Sequence, residues 1–238
     1  MKIESYTFIL NDERMLPFFL EYYKPIVDKM NFLDSGSTDR SLDILKSYGR
    51  DVTQTGMTFW DWDNMREIYQ TIWKKSDADY VFLMDVDEIF YHPHLREFLE
   101  FHKDHYDIYQ MEGYQMVSKT FPKMGSSLLD IKMGVVLPLY NKWTIFNPAV
   151  DIYHENAHEI KTTSQKICYG AVKLLHYEFL GTDIMVKRTQ LIKDRVPKES
   201  HCKYIKGNIL KVYPAFIKTE REWAAEINQY LEKAQQVI

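Results

Sequence analysis

The sequence predicts an α/β fold in which a mostly parallel, Rossmann-like central sheet is flanked by helices. Three observations carry this expectation. Short apolar runs alternate with helix-spaced apolar stripes over roughly the first 90 residues. One of those runs, YVFLM at Tyr80–Met84, is unbroken, as expected of a strand buried on both faces of a parallel sheet. A polar cluster follows each of three runs: Asn11-Asp12-Glu13, Asp34 to Asp39, and Asp85 to Glu88. In open α/β sheets ligands bind beyond the carboxyl ends of the strands, so these clusters are where function is sought.

Taken in order, residues 2–10 read as a strand, and 14–23 place Met15, Leu16, Phe19, Leu20 and Tyr23 on one helical stripe before Pro25. Asn31 to Leu33 lead into Asp34-Ser35-Gly36-Ser37-Thr38-Asp39, whose Ser and Asp residues can cap a helix carrying Leu42, Leu45 and Tyr48 and closed by Gly49. A short strand at Val52–Gln54 precedes the loop Phe59-Trp60-Asp61-Trp62-Asp63 and a helix near 64–75 with Ile68, Ile72 and Trp73 inward. Beyond 105 the pattern turns to longer extended stretches, about 107–117, 133–146, 150–161 and 168–180. Helices return at about 182–195 and 219–236, the last with Trp223, Ile227, Tyr230 and Leu231 on one stripe. The expected organisation is one domain over 1–215, divided near 105–106 into an α/β half and a mixed half, followed by an amphipathic helix at 216–238.

At 238 residues with 45% apolar side chains the chain can bury a substantial core. A net charge of -4 gives no overall attraction for phosphate backbones and argues against nucleic acid as a partner. Two cysteines, Cys168 and Cys202, are too few for a metal knuckle or a disulfide framework, which fits a cytoplasmic protein. No 18-residue apolar run is present, so no transmembrane segment is expected. The last helix can pack on the domain, pair with a second copy or rest peripherally on a membrane, and its mixed charge ranks the membrane last. The oligomeric state is open.

A bare Asp-x-Asp is weak evidence, and the sequence holds three: Asp61-Trp62-Asp63, Asp77-Ala78-Asp79 and Asp85-Val86-Asp87. Context chooses between them. Asp77 and Asp79 precede the buried run, and Asp61 and Asp63 have no apolar lead-in. Asp85 and Asp87 follow the run directly, where two carboxylates would repel unless a cation compensated them. Hard oxygen ligands with open positions suit Mg²⁺ or Mn²⁺ shared with phosphates. The bland alternative is a solvated acidic turn before the segment Pro93–His102.

These residues resemble glycosyltransferase family 2, with the GT-A fold, in particular the bacterial branch that extends lipopolysaccharide core and related glycans. Asn11-Asp12-Glu13 is similar to that family's Asn-Glu-Glu, and Asp34 to Asp39 to its Asp-x-Gly-Ser-x-Asp. LMDVDEIF resembles its metal motif. Lys142–Phe146 followed by Ala157-His158-Glu159 resembles the segment ending in Val-His-Glu, and Leu174-Leu175-His176-Tyr177 resembles Leu-x-His-Tyr. The likeness runs from about residue 3 to about 195. Asp12 stands in place of Glu, Ala157 in place of Val, and Arg66 lies about one helical turn before the family's Ala-Arg-Asn position.

The resemblance implies a hexosyltransferase that moves a sugar, with inversion, from a nucleoside-diphosphate donor to a hydroxyl of a glycan or glycolipid. It makes the first 105 residues the nucleotide-binding half and 106–215 the acceptor half. It assigns nucleotide contacts to Asn11, Glu13, Asp34, Ser37, Arg66 and Asp85, with Asp34 reading a uracil or thymine and so favouring UDP- or dTDP-sugars. It assigns a Mn²⁺ or Mg²⁺ ion to Asp85, Asp87 and His176, the general base to Glu159 ahead of Glu155 and Asp151, and an acceptor or phosphate contact to His158. The basic stretch Lys187, Arg188, Lys193, Arg195 and Lys198 reads either as a solvated helix face or as an attraction for anionic substrate. Two rivals remain. A sugar-phosphate nucleotidyltransferase would need a Gly-rich phosphate loop that Asn11 to Arg14 lacks, and a non-catalytic nucleotide- or sugar-binding module would bind without turnover.

Overall fold

The computed structural model describes residues 1–57, 62–156, 158–195 and 218–238. Phe59, Trp60, Asp61, Ala157, Lys198 and Cys202 lie outside the described residues. Contacts divide the chain into two compact units, Met1–Tyr114 with Val136–His176, and Gln115–Val135 with Tyr177–Ile238.

In the first unit, β1 (Ile3–Ile9), β2 (Lys29–Asp34), β3 (Val52–Gln54) and β4 (Tyr80–Asp85) form a parallel sheet in the order β4-β1-β2-β3. Helices α1 (Leu16–Tyr23), α2 (Ser41–Ser47) and α3 (Trp62–Thr71) supply the crossovers that parallel pairing requires. Every residue of β1 and the first five of β4 are buried, so the unbroken run at Tyr80 is indeed covered on both faces. Beyond β4 the sheet becomes mixed: β8 (Lys142–Phe146) runs antiparallel to β4, and β6 (Ile108–Ser118) runs antiparallel to β8. Tyr6, Phe8, Leu33, Val81, Leu83 and Phe146 pack with Met65 and Trp73 of the α3 region into one apolar core.

Three pieces of this unit position its polar side chains. β5 (Glu88–Tyr91) turns back directly after β4, before α4 (Leu95–His102), and pairs antiparallel with Lys173–His176 of β11 (Ile167–Leu180). Tyr23 on α1 pins β5 by donating to the Glu88 carbonyl at 3.1 Å and accepting from the Phe90 amide at 2.8 Å. β9 (Ile152–Asn156) and β10 (Glu159–Thr162) make a separate hairpin.

In the second unit β7 (Met133–Val136) pairs with the short terminal strand β12 (Gln235–Gln236), and α5 (Thr182–Arg195) packs with α6 (Glu220–Lys233). Thr219 and Glu222 form a reciprocal capping box that starts α6. Its apolar stripe buries Trp223 and Ile227 against Val117, Phe179 and Met185, and the Trp223 indole donates to Thr189 Oγ1 at 3.0 Å. The C-terminal helix therefore packs on its own unit.

Three expectations need correction, the first being the stretch 150–161, which is the two paired strands β9 and β10 rather than one. The stretch 133–146 is not one strand, because Pro138–Tyr140 forms a single 3-10 turn that separates β7 from β8. The last helix ends at Lys233, and the chain leaves it as β12.

Candidate functional site

At the exits of β1 and β2 two loops are laced together. Asn11 adopts a left-handed backbone with φ of 60°, a conformation that Asn tolerates better than most residues. Its side-chain oxygen accepts from the Thr38 amide at 2.7 Å, and its own amide donates to Ser37 Oγ at 3.0 Å. Asp34 accepts from the amides of Gly36 and Ser37 through both oxygens at 3.0 to 3.2 Å, so this carboxylate builds the loop in which it sits. Asp39 accepts from Glu13 and Ser41, and Glu13 in turn accepts from the Arg40 amide. Asn11, Glu13, Asp34 and Ser37 are thus brought into one cluster whose charges are engaged with backbone donors.

The exit of β4 holds a second cluster. In the β4–β8 ladder Val81 faces Phe146 and Phe82 faces Ile145, and three further steps of that register bring Asp85 opposite Lys142. The Lys142 amine donates to Asp85 Oδ2 at 3.0 Å and lies 2.5 Å from Glu88 Oε1. Glu88 also accepts from the Asp85 amide at 3.2 Å. The β5–β11 ladder sets His176 opposite Glu88, and His176 Nε2 comes 3.7 Å from Asp87 Oδ2. Asp87 thus approaches His176, and Asp85 is tied to the same turn through Lys142 and Glu88.

The segment carrying Lys142 is seated by a close backbone approach. A Cβ on Gly113 would stand 2.4 Å from the carbonyl carbon of Tyr140, so only glycine lets the two segments meet. The Gly113 amide donates to Asn141 Oδ1 at 2.8 Å and its carbonyl accepts from Leu137. Tyr140 then packs its ring on His176 at 4.5 Å, while the Asn141 carbonyl lies 3.0 Å from His158 Nδ1. A carbonyl only accepts, so His158 carries its proton on Nδ1 and presents Nε2 as an acceptor.

Burial governs the electrostatics of this cluster. It works to lower the pKa of Lys142, but the charges of Asp85 and Glu88 overcome it and hold that pKa well above the ordinary value. Burial raises Glu88, with Lys142 pulling the other way and Asp85 adding to the rise. The ammonium is the member whose charge is secure. His158 is lowered to about 4, first by burial and then by Lys142, so it is neutral near pH 7. Tyr69 of α3 reaches the same cluster, its phenol raised by burial and by Asp85.

Among the described residues no group of three or more His, Cys, Asp and Glu is arranged to hold an ion. Asp87 and His176 nevertheless bring a carboxylate oxygen and an imidazole nitrogen to 3.7 Å, and these two donors are the ones that would hold a divalent ion. Mg²⁺-type sites commonly take only one or two protein ligands and complete the shell with phosphate and water.

Of the remaining candidates, His158 borders this cluster through Asn141. Arg66 is exposed on α3, Glu159 is exposed at the first position of β10, and His158 precedes it half-buried. The decoy acids sit at the start of β4: Asp79 accepts from the Lys2 amide at 2.6 Å and Asp77 pairs with the Lys2 amine. Sequence reasoning gave no role to Lys142 or Glu88. Glu88 stood inside the acidic motif, whereas the partner of Lys142 becomes visible only once the register of β4 and β8 is known.

No curated protein matches the chain in sequence. Among solved structures, residues 1–349 of S. aureus TarS superimpose with a TM-score of 0.50 at 16% identity, covering 84% of this chain and 68% of that one. S. aureus TarS gives 0.47 at 14% identity over 84% of this chain and 41% of its own. Glucosyl-3-phosphoglycerate synthase from Mycobacterium tuberculosis, crystallised with Mn²⁺ and UDP-glucose, gives 0.36 at 20% identity over 48% and 43%. The likeness to TarS 1–349 is one of fold, the GT-A fold. The model of the family described as glycosyl transferase family 2 matches residues 21–150, more than half of the sequence and inclusive of β2, β4 and the Asp85-Val86-Asp87 turn, and the chain belongs to that family.

Proposed function

We propose that this protein transfers a sugar from a UDP- or dTDP-sugar to a hydroxyl of a glycan or glycolipid, in a metal-dependent reaction with inversion at the anomeric carbon. The observation that carries the reading is the Asp85, Asp87 and His176 cluster at the exit of a doubly buried strand, beside the laced loops of β1 and β2. Asp87 and His176 are the residues that would hold Mn²⁺ or Mg²⁺, and imidazole ligation favours manganese. When bound, such an ion neutralises the charge that grows on the leaving diphosphate. Asp85, fixed by Lys142, faces the nucleotide. Asn11, Glu13, Asp34 and Ser37 shape the loops against which the base and ribose rest, and Arg66 on α3 supplies a cation for the diphosphate or base.

Inversion by single displacement needs a base on the face opposite the leaving group, to take the acceptor proton as the new bond forms. Glu159 is assigned that role. His158, neutral and with Nε2 an acceptor by tautomer, orients the acceptor hydroxyl or a phosphate oxygen. A cytoplasmic site of action belongs to the same proposal and rests on the thiols, of which Cys168 is buried and unbridged. No helix among the described residues is long and apolar enough to cross a membrane. The proposal is tested by incubating the protein with a panel of nucleotide sugars and Mn²⁺ or Mg²⁺ and measuring released nucleotide. Release from UDP- or dTDP-sugars, raised by an acceptor glycan, is the expected result; binding without release from any donor would favour a non-catalytic module.

A further inference from the structure

We propose that Lys142 is a positioning residue for the donor diphosphate: it holds Asp85 and Glu88 out of the ion's coordination shell, leaves that shell to Asp87 and His176, and fixes Asp85 toward the nucleotide. The inference rests on the transferase reading and deepens it.

Three carboxylates, Asp85, Asp87 and Glu88, fall within four consecutive residues. Left alone they would gather around a divalent ion as a tight, highly charged cage. The geometry is different. The Lys142 side chain is only 8% exposed, and its amine takes Asp85 at 3.0 Å and Glu88 at 2.5 Å. Glu88, itself 1% exposed, uses its other oxygen on the Asp85 amide. Asp85 is thereby held twice, at its backbone by Glu88 and at its side chain by Lys142. A carboxylate already bonded to a buried ammonium is a poor ligand for a dication, because the two cations would share one charge. Asp87 instead approaches His176. The cluster separates the jobs: one acid for the ion, one acid for the nucleotide, and a buried acid that anchors the ammonium.

The test measures Mn²⁺ affinity of the ligand-free protein by the electron paramagnetic resonance of free Mn²⁺, and UDP affinity at saturating Mn²⁺ by calorimetry, alongside thermal melting. Lys142→Met is expected to bind Mn²⁺ alone about tenfold more tightly, since Asp85 is released to it, and UDP about tenfold more weakly. Lys142→Arg should keep both constants within about twofold of the parent. If Lys142→Met fails to fold, the double variant Lys142→Met with Glu88→Gln, which buries no unpaired charge, carries the test through the same UDP loss. Opposite movement of the two constants supports the proposal; a purely structural lysine would weaken both in step with melting temperature, and that result, or no change in either, overturns it. Asp87→Ala separates the two levels: Mn²⁺ binding that survives this change contradicts the metal reading itself, whereas its loss together with parallel behaviour of Lys142→Met sinks only the role of Lys142.

Discussion

Histidine residues show how local environment sets chemistry in this chain. His154 on β9 is buried against Phe146, donates from Nε2 to the Trp143 carbonyl at 3.3 Å, and has a buried Nδ1 that finds no partner among the described residues. Burial lowers its pKa to about 4, against a smaller opposing effect of the Trp143 carbonyl. A depressed histidine pKa means that the unfolded chain takes up its proton first. The stability tied to a neutral His154 is whole above pH 6.5 and is lost as pH falls through 4, on the order of 3 kcal/mol. Urea titrations between pH 7 and 4 should show that acid limb, and His154→Gln should flatten it; an unchanged limb would mean that other groups carry the transition. Glu159 is tested by kinetics at the same scale. Glu159→Gln should lower turnover by a factor on the order of 10² or more while donor affinity holds, and unchanged turnover would pass the base role to Glu155 or Asp151. That Asp85 and Asp87 stand at the exit of β4 could be read from the sequence, because they follow an apolar run. Lys142 could not, because its partners lie 57 and 54 positions away, and only strand register joins them.

Elements place these side chains through a few close contacts. Gly113 on β6 touches the backbone of Tyr140, and the turn Pro138–Tyr140 aims Tyr140 at His176, Asn141 at His158 and Lys142 at Asp85. A methyl group there meets main-chain atoms that cannot rotate away. Gly113→Ala should therefore cost about 3 kcal/mol in urea denaturation and weaken Mn²⁺ and UDP binding together. A neutral effect on both would show that the approach is looser than the geometry indicates. The turn also explains why 133–146 is misread as one strand. Extended apolar residues flank Pro138, and nothing local announces that Gly113 will meet the chain there. By contrast, β4 was legible because burial on both faces demands an unbroken apolar run, and α6 because its stripe of Trp223 and Ile227 repeats at helical spacing. Its end at Lys233 was not, since β12 forms only by pairing with Met133 and Gly134.

Across the whole molecule, parallel pairing of β3, β2, β1 and β4 is what makes a site from distant segments. The strands of a parallel sheet end on the same side, so Asn11, Asp34 and Asp85 emerge along one edge although they lie far apart in sequence. The same rule sends Asp77 and Asp79 to the opposite edge, where they bind Lys2, and removes them from contention. The family and the fold class were readable at this scale because order and spacing of motifs are topological. The division into two compact units was not, because β6 and β11 each run from one unit into the next without a break in sequence pattern. The most direct test of the metal-dependent transferase assignment is nucleotide release from a UDP- or dTDP-sugar by the parent protein and by Asp87→Ala, each with Mn²⁺ and with EDTA, with thermal melts confirming that both are folded. Release by the parent only in the presence of the ion, and none by Asp87→Ala, is the expected result; release that persists in EDTA, or in folded Asp87→Ala, would contradict the assignment.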